Sequence, residues 1–273
     1  MRTAVALVRA CHPEPTVAVT AMVTAFAAAA GRGWGTVWVA AAVLAGQLSV
    51  GWSNDYLDAA RDAQVARADK PVPAGLIARR VVGIAALLAL VASVPLSLAS
   101  GWLAALPHLA GIAAAWAYNL GLKGTVLSPI PYAIGFGGLP AFVVLGLPGR
   151  PDPPAWLVCA GALLGLGAHF ANVLPDLADD IRLGVRGLPH RLGARVSAAL
   201  AAALLLAASL VLAFGPGRPS AGVLGAVGAG VLALVVGGLL AARRPGSRAA
   251  FQVAMLVAVV DAALFIARGA SLG

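Results

Sequence analysis

NDYLDAARDAQVARADKPVPAG, residues 54–75, interrupts a chain that is otherwise built of long apolar runs. Asp55, Asp58, Asp62 and Asp69 stand here among Arg61, Arg67 and Lys70. On a helix, Asn54, Asp58 and Asp62 follow one another at i, i+4 and i+8 and fall on one face. Crowded carboxylates repel unless a cation sits between them. Their oxygens suit a hard cation, and Mg²⁺ is usually held by one or two carboxylates together with substrate phosphates. Arg61, Arg67 and Lys70 then suit the phosphate oxygens that such a metal leaves free.

The pattern returns. Asn172, Asp176 and Asp180 repeat the spacing of Asn54, Asp58 and Asp62, and Pro189 and Gly193 repeat Pro71 and Gly75. The shared form is N-x3-D-x3-D-x8-P-x3-G, displaced by 118 residues at all five positions. Two pseudo-equivalent carboxylate clusters facing one cavity are the expectation.

Of the 273 residues, 61% are hydrophobic and 11% charged, a balance that excludes an ordinary soluble domain and predicts a multi-span membrane protein. Runs long enough to cross the hydrocarbon, which takes about 20 residues, fall at 15–30, 34–53, 76–99, 101–120, 126–147, 154–174, 195–214, 220–242 and 249–268. The first, with its Ala-rich end, also has the look of a signal peptide, but no exported domain follows it. The fold expected is all-α, nine transmembrane helices around a central cavity, in a single domain over 1–273.

The net charge of +9 would suit nucleic acid if it were spread evenly. Instead, with the N-terminus inside, 15 of the 19 basic residues fall in the inside tail and loops, and only Arg32, Arg150, Arg218 and Arg268 fall elsewhere. This is the positive-inside bias. It predicts a cytoplasmic N-terminus, an outside C-terminus and both Asp clusters on the cytoplasmic side, in what composition suggests is a bacterial plasma membrane. Cys11 and Cys159 have no zinc or CxxC spacing.

Along the chain, residues 1–16 read as a short tail, with His-Pro-Glu-Pro at 12–15 breaking any helix before the first span. Gln47 serves either an interhelical hydrogen bond or a substrate contact. Residues 69–73, with two prolines, form a loop. Lys123 is either a positive-inside anchor or a phosphate ligand. The run over 126–147 holds Pro129, Pro131, Gly135, Gly137, Gly138 and Pro140, and predicts a kinked helix with close neighbours. His169 shares a stripe with Asn172, Asp176 and Asp180, and reads either as a general base or as a structural histidine. Asp261, inside the last run, is a functional candidate by its place in the membrane, or a polar pairing with Gln252 or Arg268.

Asn54-Asp55-x2-Asp58-x3-Asp62 with Arg67, Lys70-Pro71 and Gly75 resembles the first signature of the UbiA-type intramembrane prenyltransferases. Asp176-x3-Asp180-x3-Gly184 with Leu188-Pro189 and Leu192-Gly193 resembles the second. Lys123 after Tyr118 resembles a Tyr…Leu-Lys element of the same family. Lys70 stands where the family usually has Arg, Val173 where many members have an acid, and Gly187 in place of a usual Thr.

The resemblance implies Mg²⁺-dependent transfer of an isoprenyl group from an isoprenyl diphosphate to a small-molecule acceptor, commonly aromatic, within the bilayer. It implies catalysis by Asp58, Asp62, Asp176 and Asp180, and metal held by these with Asn54 and Asp55. The diphosphate would be held by Asn54, Arg61, Arg67, Lys70, Lys123, Asn172 and Arg186, with Tyr118 and His169 on the acceptor side. A membrane terpene cyclase of the same superfamily would use the same ionisation. A CDP-alcohol phosphotransferase shares Asp55, Asp58, Ala60 and Arg61 but needs its other carboxylates close by. A transporter would place its carboxylates near the midplane.

Overall fold

Helix α3 (Gly35–Gln64) shows how sequence becomes architecture. Its 30 residues span about 45 Å, longer than the roughly 30 Å hydrocarbon layer. The apolar first part fits that layer, and the excess turns carry Asn54, Asp58 and Asp62. The structure, a computed structural model, describes residues 2–64, 70–243, 257 and 259–267. Arg67, Asp69, Gln252 and Arg268 therefore lie outside the described residues.

The other helices are α1 (Arg2–Ala10), α2 (Pro13–Ala29), α4 (Arg79–Leu98), α5 (Trp102–Leu120), α6 (Ile130–Leu145), α7 (Ala155–Val173), α8 (Leu177–Arg182), α9 (Leu188–Phe214) and α10 (Ala221–Arg243), with a 3₁₀ turn at Leu122–Gly124. Residues 259–267 are also helical. No strand occurs among the described residues. Among the described residues four helices, α3, α4, α7 and α9, are both long and apolar enough to cross a membrane. Helices α2 to α7, α9 and α10 coincide with the first eight apolar runs of the sequence.

Successive helices pack on one another: α2 on α3, α3 on α4 and α5, α5 on α6, α6 on α7, and α7 on α9. The largest core cluster joins Val23 and Phe26 of α2, Val39 and Val43 of α3, Phe142 of α6 and Leu157 of α7. Helix α6 sits so close between α5 and α7 that glycines line both seams. A Cβ on Gly138 would stand 2.6 Å from the Pro107 carbonyl of α5, and one on Gly161 of α7 would stand 2.6 Å from the Phe136 carbonyl. The small residues expected to admit close neighbours do so, with Pro140 inside the helix.

Two expectations need correction. Residues 2–10 are helical rather than a plain tail. The break falls at Cys11–His12, where His12 adopts a left-handed conformation (φ 55°) and Pro13 opens α2. The second carboxylate cluster does not lie on one continuous helical stripe either. Helix α7 ends at Val173, a turn carries Pro175, and α8 starts after Asp176. Proline has no N–H for the helical ladder and its ring clashes with the preceding turn, so the helix that persists through the first cluster stops in the second. The two halves nonetheless finish alike. Gly75 and Gly193, matched in the repeat, both take left-handed φ, 70° and 80°. Gly193 splits α9 into a short first turn and a long span.

Candidate active site

The C-terminal ends of α3, α5 and α7 meet around the first cluster. Helix C-termini carry partial negative charge from unpaired carbonyls, so this meeting point favours cations even before its carboxylates are counted. Asn119, near the end of α5, ties α5 to α3. Its amide donates to Ser53 Oγ (2.7 Å) and to the Val50 carbonyl (3.0 Å), and its oxygen accepts from Asn54 (3.3 Å). Asn54 also donates to Asp58 at 3.1 Å, so the i, i+4 spacing read in the sequence is a real side-chain pair.

Asp58 gathers two cationic groups as well as Asn54. Lys123 Nζ donates to it at 2.6 Å and Arg61 at 2.9 Å. Lys123 reaches it because α5 stops at Gly121 (φ 147°) and the 3₁₀ turn swings the lysine back over α3. Burial pushes the Lys123 ammonium below its ordinary pKa, and the Asp58 carboxylate works against that shift.

The second motif reaches the same place. Lys123 feels the charge of Asp180 as well as that of Asp58 and Arg61. Tyr118 lies within electrostatic reach of both Asp58 and Asp180. Residues 122 positions apart in the sequence therefore act on one lysine and one tyrosine. Asp180 also accepts from His190 Nε2 at 3.1 Å.

Beside the carboxylates stands an aromatic wall. The Tyr118 and Tyr132 rings meet edge to face at 5.4 Å, and His169 lies 4.8 Å from Tyr132 and 5.8 Å from Tyr118. Tyr132 also lies within polar reach of Asn172 of the second cluster. His169 is buried, its Nε2 3.1 Å from Ser128 Oγ, which accepts the Leu188 N–H at 3.1 Å.

Asn54, Asp58, Asp62, Tyr118, Lys123 and Asp180 are thus half-buried, while Asn172, Asp176 and Arg186 are exposed. Asp55 and Lys70 pair with each other and with His12 at the base of the cluster. His12, Asn119, Ser128, Tyr132 and His190 carry no role in the sequence reading. His190 is distinguishable there only by its place in the second motif, and His12 only as part of a helix-breaking run.

Among the described residues, no three His, Cys, Asp or Glu side chains converge closely enough to enclose a metal ion. The described side chains alone do not close off a divalent ion. Mg²⁺ shared between one or two carboxylates and phosphate oxygens does fit, because Asp58 already holds two cationic groups and Asp180 lies within reach of one of them.

Known proteins show the same arrangement of helices. The chain is 35% identical over 184 residues to the bacteriochlorophyll synthase 33 kDa chain of Cereibacter sphaeroides, an alignment covering 62% of this chain and 59% of that protein. It is 27% identical over 154 residues to digeranylgeranylglyceryl phosphate synthase of Pyrococcus horikoshii, covering 54% and 53%. The aligned region thus spans less than two thirds of these curated relatives. A UbiA homolog from Archaeoglobus fulgidus, solved bound to GPP and Mg²⁺, superposes with a TM-score of 0.71 at 17% identity, over 98% of this chain and 99% of that one. Residues 17–260 match the model of the UbiA prenyltransferase family, and the chain belongs to that family.

Proposed function

We propose that this protein transfers an isoprenyl group from an isoprenyl diphosphate to a small-molecule acceptor inside the membrane. The observation that carries the reading is that Lys123, held by Asp58 of the first motif, lies against the second: a Cβ on Gly187 would stand 2.4 Å from the Lys123 carbonyl, and the charge of Asp180 acts on the same lysine. Two motifs far apart in sequence converge on one basic, carboxylate-rich mouth, which is what a diphosphate arriving with Mg²⁺ requires. The names of the relatives, both synthases of isoprenoid-bearing products, and the GPP and Mg²⁺ in the solved homolog point the same way.

In this reading Asn54, Asp58, Asp62, Asp176 and Asp180 would hold Mg²⁺, which supplies positive charge against the diphosphate when bound. Lys123 and Arg61, seated on Asp58 here, stabilise the negative charge that builds on the diphosphate as the allylic C–O bond breaks. The bonding electrons leave with the diphosphate. Tyr118, Tyr132 and His169 face the allylic cation with aromatic rings, which stabilise a cation through their faces. An acceptor then adds to the cation and loses a proton. The same aromatic rings suit the aromatic acceptor expected from the resemblance. Of the two readings of His169, the structural one gains support, because Ser128 ties it to the Leu188 turn.

Nine spans in one transmembrane unit, a cytoplasmic N-terminus and an outside C-terminus complete the proposal. They are supported by the charge asymmetry of the loops.

The test uses purified protein in detergent with Mg²⁺ and donors of several chain lengths, with and without aromatic acceptors, read by mass spectrometry and diphosphate release. The expected result is Mg²⁺-dependent release that needs an acceptor and yields a prenylated product. A cyclic hydrocarbon or alcohol from donor alone would instead make it a cyclase, and no release under any condition would refute both.

A further inference from the structure

Asp55, in the first motif, turns away from the mouth. Its side chain is 1% exposed. Its Oδ1 accepts from Lys70 and lies 3.0 Å from His12 Nε2, and Lys70 Nζ is itself 3.0 Å from the His12 ring. Its Oδ2 is buried with no hydrogen-bond partner among the described residues. The polar partners of Asp55 therefore come from two different parts of the chain: the elbow between α1 and α2, and the turn that ends at Gly75.

The elbow is built to deliver His12. His12 holds a left-handed backbone that a residue with a Cβ seldom adopts, and such strain persists only where surrounding contacts fix it. Those contacts are present. Thr16 Oγ1 donates to the Cys11 carbonyl at 2.8 Å, and Trp52 Nε1 of α3 donates to the Leu7 carbonyl of α1 at 2.8 Å. Gly51, one helical turn before Asp55, is the notch that receives the elbow: any Cβ there would overlap the Cys11 carbonyl. Ala6 and Ala10 of α1 then pack against Ile77 and Val82 of the segment that follows the Lys70 turn.

We propose that His12, Asp55 and Lys70 form a positioning clamp that fixes the N-terminal helix and the Lys70–Gly75 turn to the base of the donor site. His12 is then a positioning residue, and Asp55 belongs to the clamp rather than to the metal centre. The role in donor binding rests on the transferase reading above. The clamp sits one turn from Asn54 and Asp58, so loosening it displaces the residues that meet the diphosphate without removing any of them.

The test compares His12→Ala, His12→Gln and Asp55→Asn, each in a Cys159→Ser background, where Cys11 is the remaining thiol. His12→Ala should raise the KM for isoprenyl diphosphate about tenfold, the equivalent of one lost charge-assisted hydrogen bond, with kcat within about threefold of wild type. His12→Gln, which keeps an N–H donor, should recover most of that loss. Buried Cys11 should become accessible to a maleimide in His12→Ala and in Asp55→Asn, but not in His12→Gln. The double variant His12→Ala/Asp55→Asn should be no worse than the poorer single one, because both break the same contact.

Unchanged KM and thiol protection in His12→Ala would overturn the proposal. So would a loss of Mg²⁺ affinity in Asp55→Asn with Cys11 still protected, which would return Asp55 to the metal centre. The labelling arm needs no turnover. If the wild-type protein released no diphosphate, the transferase reading would fail, and thiol exposure would still decide the clamp.

Discussion

Replacing Lys123 with methionine separates the catalytic reading of the mouth from a merely topological one. Methionine keeps most of the length and the buried stem of lysine and removes its charge and its N–H donors. In the structure the lysine is 11% exposed and its partner Asp58 14%. Removing one partner of a buried pair is expensive when it strands the other, by about 3–5 kcal/mol. Asp58 is not stranded here, because Arg61 at 2.9 Å and Asn54 at 3.1 Å remain. The variant also relieves the burial penalty that pulls the Lys123 pKa down. These terms oppose one another, and the net change in stability should stay within about 1 kcal/mol.

Turnover should respond differently. A preorganised donor aimed at developing charge is worth about 2.7–4 kcal/mol, or about 10²–10³ in rate. Lys123→Met should therefore lose about two to three orders of magnitude in diphosphate release at saturating donor, while its thermal unfolding in detergent stays close to wild type. Both are measured on one preparation, with release followed against donor and Mg²⁺ concentration. Turnover within about threefold of wild type would make Lys123 a positive-inside anchor and refute the reasoning. A loss of activity that only tracks a loss of folded protein would refute it equally.

Asp58→Asn and Asp176→Asn should each reduce Mg²⁺-dependent release by about 10² or more, and the double variant should lose far less than the product, since a site acting as a unit fails once; wild-type Mg²⁺ dependence in Asp176→Asn would remove the second motif from the site. Gly165→Ala should lower the unfolding temperature by an amount matching about 1–3 kcal/mol, because its Cβ would stand 2.7 Å from Phe136 Cβ and press on the Tyr132 carbonyl, whereas Gly135→Ala, which meets open space, should be tolerated. His169→Ala and Ser128→Ala should impair donor affinity and turnover together; slowed transfer with normal donor binding in His169→Ala alone would restore the general base. Arg186→Cys should resist labelling by an impermeant maleimide in intact cells, and strong labelling would overturn the cytoplasmic placement of the motifs.

The sequence carries the helices and the carboxylates well, for a physical reason. A membrane helix is announced by run length, and a cation site by charges placed where charges are costly. Asn54 and Asp58 sit as their spacing demands, and the glycines around Gly138 and Gly161 seal α6 between its neighbours. What the sequence hides is pairing across the fold. Nothing local to His12 tells that its ring meets Asp55, 43 residues on, and nothing around Asn119 tells that its amide ties α5 to α3. The helical stripe through Asn172, Asp176 and Asp180 is a different miss. The spacing suits a helix, but Pro175 between Asn172 and Asp176 ends it.

That miss shows what the repeat preserves. The first cluster runs along an unbroken helix and the second crosses a break, so the two halves do not share a backbone path. They share the carboxylate spacing and the left-handed glycine at which each motif ends. A constraint that survives a change of backbone is a constraint on where the charges and the closing turn lie. Asp180 shows how it is met: its backbone N–H still bonds the Asp176 carbonyl at 2.9 Å, so the last helical step is kept after the break. The break itself lets α8 turn while Asp180 stays within reach of Lys123. The lysine between Asp58 and Asp180 marks where positive charge is needed. A diphosphate entering there brings more negative charge to a place already lined by carboxylates and helix C-termini, and it can stay only if cations enter with it. Binding of an isoprenyl diphosphate should accordingly be negligible in EDTA and rise with Mg²⁺, and donor binding that ignored Mg²⁺ would mean that the basic residues alone hold the diphosphate.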